Sequence, residues 1–425
     1  MSSRWVLPIG AVVATVMIVG ATLRDARETA AAPVAAPVMP VTLTGTTRTE
    51  LTSTVSEMTE RLKKNSGDAV AVVSLTNALI RLQRVNNDGR AVIAAEEHLR
   101  AFLKAKPEHY EARRMLAAVL LSQHRFGDAI AEANAAMAID PRDAWNYGVA
   151  GDGYMELGNY EKAFEAFDRM GQLQPGPPAY ARTAYALELK GDLEGALEYM
   201  RKAAEGTSPN DAESQAWHYA QVGDLLYQLG RYPLARLEYE RADATFPGHP
   251  MAVVGQARIR MSDGDLKGAR LLLQTQLART ATPDLAAAVG ELSLELGDAT
   301  MAEQYFQMAE QIERGAWGNG ARQPQAMARL LADRPGREQE AVTLAEEAAR
   351  SRADIFTMDT LAWAYYKSGR LADAKAASER ALRTGTRDAR IRCHAEIIGV
   401  ASPRHGDAIS ERAPASTRHC LEWRP

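Results

Sequence analysis

The residue types that carry most enzyme chemistry are few in this chain, and their spacing forms no recognisable site. The 425 residues include eight histidines and two cysteines. No histidine falls at metal-ligand spacing with carboxylates or cysteines on one helix face. The sequence therefore predicts no metal site and no cofactor.

Two short motifs could serve catalysis, and each has a simpler interpretation. Cys393 and His394 could act as nucleophile and base, but adjacent helical residues point about 100° apart and cannot readily hydrogen-bond. The glycines of GAWGNG (residues 315–320) could hold a phosphate, but they lie between helical patterns and follow no strand. Since no nucleophile elbow occurs either, we predict no catalytic residue and no enzyme activity.

The dominant feature of the sequence is a set of regularly spaced alanines, each near the start of an apolar helical pattern. Successive members differ by 33, 34 or 39 in residue number, and the set is Ala95, Ala129, Ala163, Ala196, Ala235, Ala269, Ala302, Ala341 and Ala374. We call them the register alanines. A glycine lies five residues before seven of them. A repeat near 34 residues is typical of a helical solenoid.

One repeat shows which residues the pattern requires. Between Tyr147 and Pro175, the first helix carries small residues such as Gly151, and the second begins near Ala163. Small residues allow the paired helices to cross closely, and aromatic side chains fill the space beside them. Gly158 supplies the left-handed backbone conformation that ends the first helix.

This pattern resembles the tetratricopeptide repeat, over roughly residues 68 to 392. The stretch from Gly148 through Met200 also resembles long exported bacterial tetratricopeptide repeat proteins of undefined function. The resemblance implies an all-α fold, a right-handed superhelical solenoid of antiparallel helix pairs. About nine repeats and a partial last repeat are expected.

The chain divides into four predicted zones. Arg4 precedes an uncharged run from Trp5 to Leu23, which fits a signal peptide cleaved after Ala21 or an uncleaved membrane anchor. We therefore expect an exported protein, periplasmic or extracellular, or one anchored to the membrane by this segment alone. The zones are a signal or anchor at 1–24, an Ala/Pro/Thr-rich flexible linker at 25–55, the solenoid at 56–400 with an opening helix at Val55–Lys64, and a disordered tail at 401–425.

Charge and cysteine content narrow the partners and the compartment. The formal net charge is −4, from 50 basic and 54 acidic residues, with no basic excess to suggest nucleic acid. Cys393 and Cys420 could pair in an oxidising compartment. Unpaired thiols are the favoured interpretation, because both cysteines lie in a weakly patterned end of the chain.

Three local features carry expectations of their own. The longer joints at residues 206–211 and 315–320 are expected only to change the stacking angle, although Trp317 could be an exposed anchor for a partner. Arg387–Val400 is predicted to be the first helix of one more repeat, with its partner helix missing. The last repeat would then be frayed; alternatively, Leu421 and Trp423 fold back over the gap.

The resemblance also implies that the first helix of each pair lines a concave groove. Counting from the register alanines places these candidate partner-binding residues there: Trp145, Asp152, Met155, Glu156, Tyr185, Glu188, Trp217, Asp224, Tyr227, Trp363 and Tyr366. The same count also places Arg258, Met261 and Glu291 on this side. Aromatic and methionine side chains beside carboxylates suit a partner with apolar and basic residues. Packing between neighbouring helices is the alternative, and for Tyr185 and Tyr227 both interpretations stay open.

We therefore expect a non-enzymatic protein-protein interaction scaffold that binds a partner protein or peptide in this groove. The alternative is a polysaccharide-handling or envelope-assembly subunit that uses the same groove. Replacing Asp152, Glu156 and Asp224 by lysine should weaken the binding of a basic partner and leave helicity and melting temperature nearly unchanged, because exposed charges contribute little to stability.

Overall fold

The computed structural model describes residues 47–86, 89–318, 323–400 and Cys420. In this part of the chain the regular secondary structure is twenty α-helices without a strand. The opening helix is α1, Arg48–Lys64, and the helices of odd number that follow it are α3 Gly89–Ala105, α5 Phe126–Ile139, α7 Tyr160–Leu173, α9 Leu193–Gly206, α11 Tyr232–Thr245, α13 Leu266–Arg279, α15 Ala299–Gly318, α17 Glu338–Ser351 and α19 Leu371–Ala381. The helices of even number are α2 Ala69–Asn86, α4 Tyr110–Ser122, α6 Ala144–Glu156, α8 Pro177–Leu189, α10 Ala212–Gln228, α12 Pro250–Ser262, α14 Pro283–Glu295, α16 Pro324–Ala332, α18 Ile355–Lys367 and α20 Ala389–Ile398.

These helices form nine antiparallel pairs, which we number repeats 1 to 9, from α2–α3 to α18–α19, and α20 begins a partial repeat 10. Each register alanine lies in the second helix of a pair and is at most 1% exposed. The two helices of a pair cross closely, which is why small residues occur at the crossing on both helices. In repeat 3, for example, the ring of Phe167 occupies the space that a Cβ on Gly151 would need. The predicted all-α solenoid is confirmed.

In repeats 2 to 9 the turn inside the pair has the predicted left-handed backbone. The seven glycines that lie five residues before a register alanine all have positive φ, from +72° at Gly230 to +84° at Gly264. In repeat 2 the equivalent residue is His124, which adopts φ +59°. The turn geometry therefore persists where glycine is absent.

The opening helix begins seven residues earlier than the sequence predicted. Thr47 caps α1: its hydroxyl accepts from the amide of Glu50, whose carboxylate accepts from the Thr47 amide. This capping box satisfies two free helix-end donors and fixes the start at Arg48. The expected linker at 25–55 is therefore wrong for 48–55, while the signal or anchor and the rest of the linker lie outside the described residues. Among the described helices, none has the length and apolar character to cross a bilayer.

The first helices of the pairs lie on the inner side of the curve. First helices of neighbouring repeats approach each other directly, as α4 with α6 and α10 with α12, whereas within the described residues the second helices do not come as close. In a curved stack, elements converge on the concave side. We call the even-numbered helices inner and the odd-numbered helices from α3 onward outer.

The two longer joints differ in structure. The first runs from Thr207 to Asp211, between α9 and α10. The second is shorter than predicted, because α15 continues through Gly315 to Gly318. Within it, Trp317 is half-buried, packs against the core and donates from Nε1 to Glu313 at 2.9 Å. This supports a packing role for Trp317.

Repeats that are distant in sequence also touch. The amide of Ile355 donates to the Tyr160 hydroxyl at 2.8 Å, across 195 residues. Arg383 donates to the carbonyls of Gly158, at 3.1 Å, and Ala353, at 2.5 Å. We call this contact the seam; it joins the α6–α7 turn of repeat 3 to the segment that precedes α18 in repeat 9.

The seam continues into the core. One hydrophobic cluster includes Phe167 and Leu189 of repeats 3 and 4 together with Met358 and Ile391 of α18 and α20. At a second point of the same edge, a methyl group on Gly191 would overlap the carbonyl oxygen of Gly385. The C-terminal repeats therefore stabilise the middle of the solenoid directly, as well as through their neighbours.

The C-terminal end corrects one expectation. Cys393 of α20 and Cys420 form a disulfide with Cα atoms 5.7 Å apart, so the favoured interpretation of unpaired thiols is wrong. The two cysteines can pair because Cys420 returns to α20, and their spacing along the sequence could not reveal that return. Helix α20 itself is formed, with Asp388 as its N-cap and Gly399 ending it at φ +85°. Whether the rest of 401–425 is disordered falls outside the described residues.

We predict that Gly158→Ala destabilises the protein much more than Gly230→Ala. Both glycines have positive φ, +74° and +72°, so alanine costs about 1–2 kcal/mol of backbone strain at either turn. A methyl group at Gly158 would also overlap the Ala353 backbone, whereas Gly230 has nothing within 4 Å. Displacing the seam should add about 1–3 kcal/mol, measurable by urea unfolding. Equal losses in the two variants would contradict the seam.

Candidate functional site

The predicted partner-binding residues lie on the inner helices, but they do not form one open surface. They are distributed over α6, α8, α10 and α18. Among the described residues, no group of three or more His, Cys, Asp or Glu side chains could hold a metal ion. The surface must therefore be judged by which of its side chains remain accessible.

Three of the predicted residues are buried and cannot offer a contact surface. Met155 is 3% exposed and lies in the joined core of repeats 3, 4 and 8 to 10. Tyr227 is 8% exposed, with its ring 5.0 Å from that of Tyr232. Trp363 is 6% exposed, since its ring stacks on His394 at 4.0 Å. Packing is thus the role of these three residues, and their assignment to the groove is wrong.

Two of the predicted carboxylates are already paired with arginines from the next inner helix. Asp152 of α6 accepts from Arg182 of α8 at 2.9 and 2.5 Å. Asp224 of α10 accepts from Arg258 of α12 at 2.7 Å and from the Tyr239 hydroxyl at 2.7 Å. These side chains are only partly exposed. Each ion pair joins two neighbouring inner helices. Removing either aspartate would take this carboxylate away from a partly buried arginine, so both aspartates stabilise the packing of the inner helices.

Glu156 belongs to the seam. Its carboxylate accepts from Arg352, which precedes α18, at 2.7 Å. Burial raises the pKa of Glu156, while the positive charge of Arg352 opposes that shift. The expectation that Asp152, Glu156 and Asp224 could all be reversed to lysine without loss of stability is therefore wrong, because each carboxylate is bonded to an arginine.

Glu188 and Tyr185 lie on α8 near the same edge. Glu188 accepts from the Gln228 amide at 2.7 Å, and burial together with nearby Asp224 and Asp388 raises its pKa to about 7. Tyr185 packs against the joined core, and burial raises the pKa of its hydroxyl well above the usual value. Its half-buried ring thus serves packing between the turns of the solenoid.

Three predicted aromatic residues keep part of their surface. Trp145 is half-buried beneath the guanidinium of Arg114, 5.1 Å from its ring. Trp217 is half-buried, edge-on to His218 at 5.1 Å. Tyr366 is half-buried against Trp363, with ring centroids 5.3 Å apart. These side chains can still contribute contact area on the inner side.

The prediction missed the most accessible large apolar side chain on the inner helices, as far as the structure describes them. Leu294 of α14 is 42% exposed, and half-buried Met261 of α12 occupies the same place in the preceding repeat. Both lie eight residues before a register alanine, as Met155 and Tyr227 do. The same count would have found Leu294, but it cannot tell which members a neighbour covers.

We predict that Asp224→Lys destabilises the protein by about 3 kcal/mol, because it places a positive charge beside Arg258 and removes the acceptor of Tyr239. The matched control is Glu165→Lys, an exposed position on outer helix α7, which should change stability by less than about 0.5 kcal/mol. Urea unfolding measures both. Unchanged stability of the Asp224→Lys variant would contradict a structural role, and Asp224 would again be a candidate partner-binding residue.

We predict that Glu188→Gln relieves a loss of stability that occurs as pH rises. The folded-state pKa of about 7 lies above the ordinary value of 4.5, so the folded protein binds more protons between these pH values. The contribution of protonated Glu188 is complete below about pH 4.5 and lost as pH rises through 7. We compare the free energy of unfolding of Glu188→Gln with that of wild type at each pH. This difference should favour the variant by about 1–2 kcal/mol more at pH 8 than at pH 4.5. Parallel stability profiles of wild type and variant would contradict this, and Glu165→Gln is the exposed control.

Comparison with known proteins agrees with the architecture. The model of the tetratricopeptide repeat family matches residues 94–144, 149–212 and 222–286. No curated protein sequence matches the chain.

Several solved structures are similar in fold. The APC/C hetero-tetramer Cut9-Hcn1 is 14% identical with a TM-score of 0.50, covering 79% of this chain and 56% of that one, so the chain spans little more than half its length. The human IFIT1 dimer with m7Gppp-AAAA is 16% identical with a TM-score of 0.50, covering 79% of this chain and 78% of the other. A tetratricopeptide repeat protein from Parabacteroides merdae is 18% identical, with a TM-score of 0.40, and the match covers 56% of this chain and 93% of that one. Such low identities show the fold alone. The spacing of the register alanines, the paired helices and the family match together show that this chain is a tetratricopeptide repeat protein.

Proposed function

We propose that this protein is a non-enzymatic scaffold that works outside the cytoplasm and binds a protein or peptide partner on the inner face of repeats 5 to 7. Tetratricopeptide repeats suggest protein-protein interaction in general. The face is defined by Trp217, Met251, Met261 and Leu294, on the inner helices α10, α12 and α14.

The observation that carries this proposal is the exposure of Leu294. At 42% it is the most exposed large apolar side chain on the described inner helices, whereas the equivalent residues Met155 and Tyr227 are 3% and 8% exposed. Repeats 3 and 4 use their edge to pack against repeats 8 to 10. Of the described residues in repeats 5 to 7, Trp317 alone packs against that joined core, and α2 contacts repeat 5 through Arg81 and Asp211. Met261 and Leu294 of repeats 6 and 7 therefore leave the most inner surface to a partner.

The proposed partner presents apolar side chains. Half-buried Met261 and Trp217 add adaptable and aromatic surface near Leu294, and such residues are enriched at interaction hot spots. Since Arg182 and Arg258 already neutralise Asp152 and Asp224, basic residues of a partner gain little there. Apolar anchors, more than charge, would therefore determine the affinity.

Two observations support a site outside the cytoplasm. The N-terminal run from Trp5 to Leu23 is uncharged and follows Arg4, as in an export signal or anchor. The Cys393–Cys420 disulfide is a bond that persists in oxidising compartments and is rare in the cytosol. Both features point in the same direction by independent physical routes.

We predict that Leu294→Glu abolishes partner capture, lowering it at least about tenfold, because it places a charge where an apolar anchor must be desolvated. Leu237→Glu is the matched control: Leu237 is 58% exposed on outer helix α11, and its change should leave capture intact. Pull-downs from envelope extract with the two variants and wild type provide the measurement, with thermal unfolding to show that both variants fold.

Equal capture by the two leucine variants would contradict a partner on this inner face. Recovery of a polysaccharide instead of a protein, lost in Leu294→Glu, would favour the polysaccharide-handling alternative.

We further predict that residues 1 to 55 direct export. Fused to a reporter that fluoresces only in the cytoplasm, this segment should leave the cells dark, because its apolar run engages the export machinery. Replacing two residues of the run by arginine should restore fluorescence and serves as the control. Strong fluorescence from the unaltered fusion would contradict a location outside the cytoplasm.

A further inference from the structure

We propose that the turn of repeat 2 and the start of repeat 8 form a second binding site, which holds an extended, uncharged peptide segment through its backbone, with His124 as the main hydrogen-bonding residue. The site is lined by residues of repeats 2, 3 and 8 and shares none with the inner face of repeats 5 to 7. The inference therefore does not depend on the proposed partner.

The turn of repeat 3 shows how this solenoid holds an extended segment. At the seam, the Ala353 amide donates to the Leu157 carbonyl at 3.3 Å, and the Ile355 amide donates to the Tyr160 hydroxyl at 2.8 Å. Gly158 gives the Ala353 backbone room, since a methyl group there would overlap it. A turn of this solenoid can therefore bind a peptide backbone through a carbonyl and a side-chain acceptor.

The turn of repeat 2 has different residues at the same two places. His124 replaces Gly158, and Phe126 replaces Tyr160, counted from the register alanines. Phe126 has no hydroxyl, but the imidazole of His124 supplies a nitrogen acceptor beside it. Among the described residues, His124 alone has positive φ without being a glycine. Such exceptions are enriched at functional sites, which indicates that the histidine side chain is used.

His124 lines a cleft where the seam does not close. The cleft has a volume of about 420 Å³ and lies between the turn of repeat 2, the start of α16 at residues 323–325 and the end of α17 with Ser351 and Arg352. A cleft of this size admits a small ligand or a short peptide segment, but not a folded domain. It continues the edge on which the seam is built.

The charged side chains that line the cleft are already paired. Arg352 donates to Glu156 at 2.7 Å and to Asp354 at 3.1 Å. Arg125 is paired with Asp128 at 2.6 Å. A charged ligand would have to compete with these ion pairs, so the cleft favours an uncharged one.

The neutral polar groups of the cleft match a peptide backbone. Burial and the nearby charge of Arg352 lower the pKa of His124, so its ring is neutral at pH 7 and can accept from an amide. The amides of Gln323 and Gln325 can both donate and accept. Phe126 is 5% exposed beneath the Arg352 guanidinium, which leaves no open face of this ring for stacking on a sugar.

Nuclear magnetic resonance of the full-length protein tests the site. A tetra-alanine peptide, N-acetylated and C-amidated, is added at millimolar concentration, and maltotriose is added separately as a neutral saccharide. We expect the peptide, and not maltotriose, to shift the His124 ring signals saturably. Saturation transfer to the peptide should fall at least about fivefold in His124→Gly and in Gln325→Ala. It should be unchanged in the control Gln174→Ala, an exposed amide after α7.

The His124→Gly variant also separates a binding role from a structural one. Glycine occupies the equivalent place in seven turns, so this variant should unfold at the same urea concentration as wild type or at a higher one. A lower midpoint would show that the side chain serves the fold. An unshifted His124 ring, or undiminished transfer in His124→Gly, would overturn the site, and binding of maltotriose alone would overturn the peptide assignment.

Discussion

The seam between repeats 3 and 9 is the contact on which the rest of the structure depends. In an open solenoid each repeat contacts only its neighbours, so stability is a sum of local terms. Here the Ile355 amide is bonded to Tyr160, and Arg383 bridges the carbonyls of Gly158 and Ala353. The first-turn amide of a helix lacks a partner within its own helix. A side chain from a distant repeat supplies that partner, which couples the folding of the two halves.

The seam also determines which part of the inner face remains for recognition. Repeats 3 and 4 are committed to the core that they share with repeats 8 to 10, so Met155 and Tyr185 pack against the chain itself. The same contact holds Glu156 beside Arg352. In repeats 6 and 7 the inner positions of Met261 and Leu294 are more accessible. In such a scaffold, the edge formed by repeats 3 and 4 is used for packing within the chain, and the region around Met261 and Leu294 is left for a partner.

Much of this fold could be predicted from local sequence. The register alanines and the glycines before them fixed the helix pairs, because close crossings and left-handed turns admit few residue types. The ion pairs between inner helices could also have been predicted. Arg182 follows Asp152, and Arg258 follows Asp224, by about one repeat, and residues at that spacing lie on adjacent inner helices. The start of α1 was recognisable from Thr47 and Glu50.

The seam and the disulfide could not be predicted in that way. Whether Gly158 meets Ala353 depends on small rotations accumulated over six repeats, and no local pattern records that sum. Cys393 and Cys420 could be paired only once the return of the chain was known. Burial on the inner face follows from these long-range contacts, which is why similar inner residues such as Met155 and Leu294 have different exposures.

The most direct test of the seam is the hydrogen exchange of the Ile355 amide, measured at single-amide resolution in wild type and in Tyr160→Phe. The phenylalanine keeps the ring and removes only the hydroxyl that accepts this bond. We predict that Ile355 is protected in wild type, although it is the first residue of α18, and that its exchange accelerates at least about tenfold in Tyr160→Phe while amides in the middle of α18 are unchanged. Free exchange of Ile355 in the wild-type protein would contradict the seam.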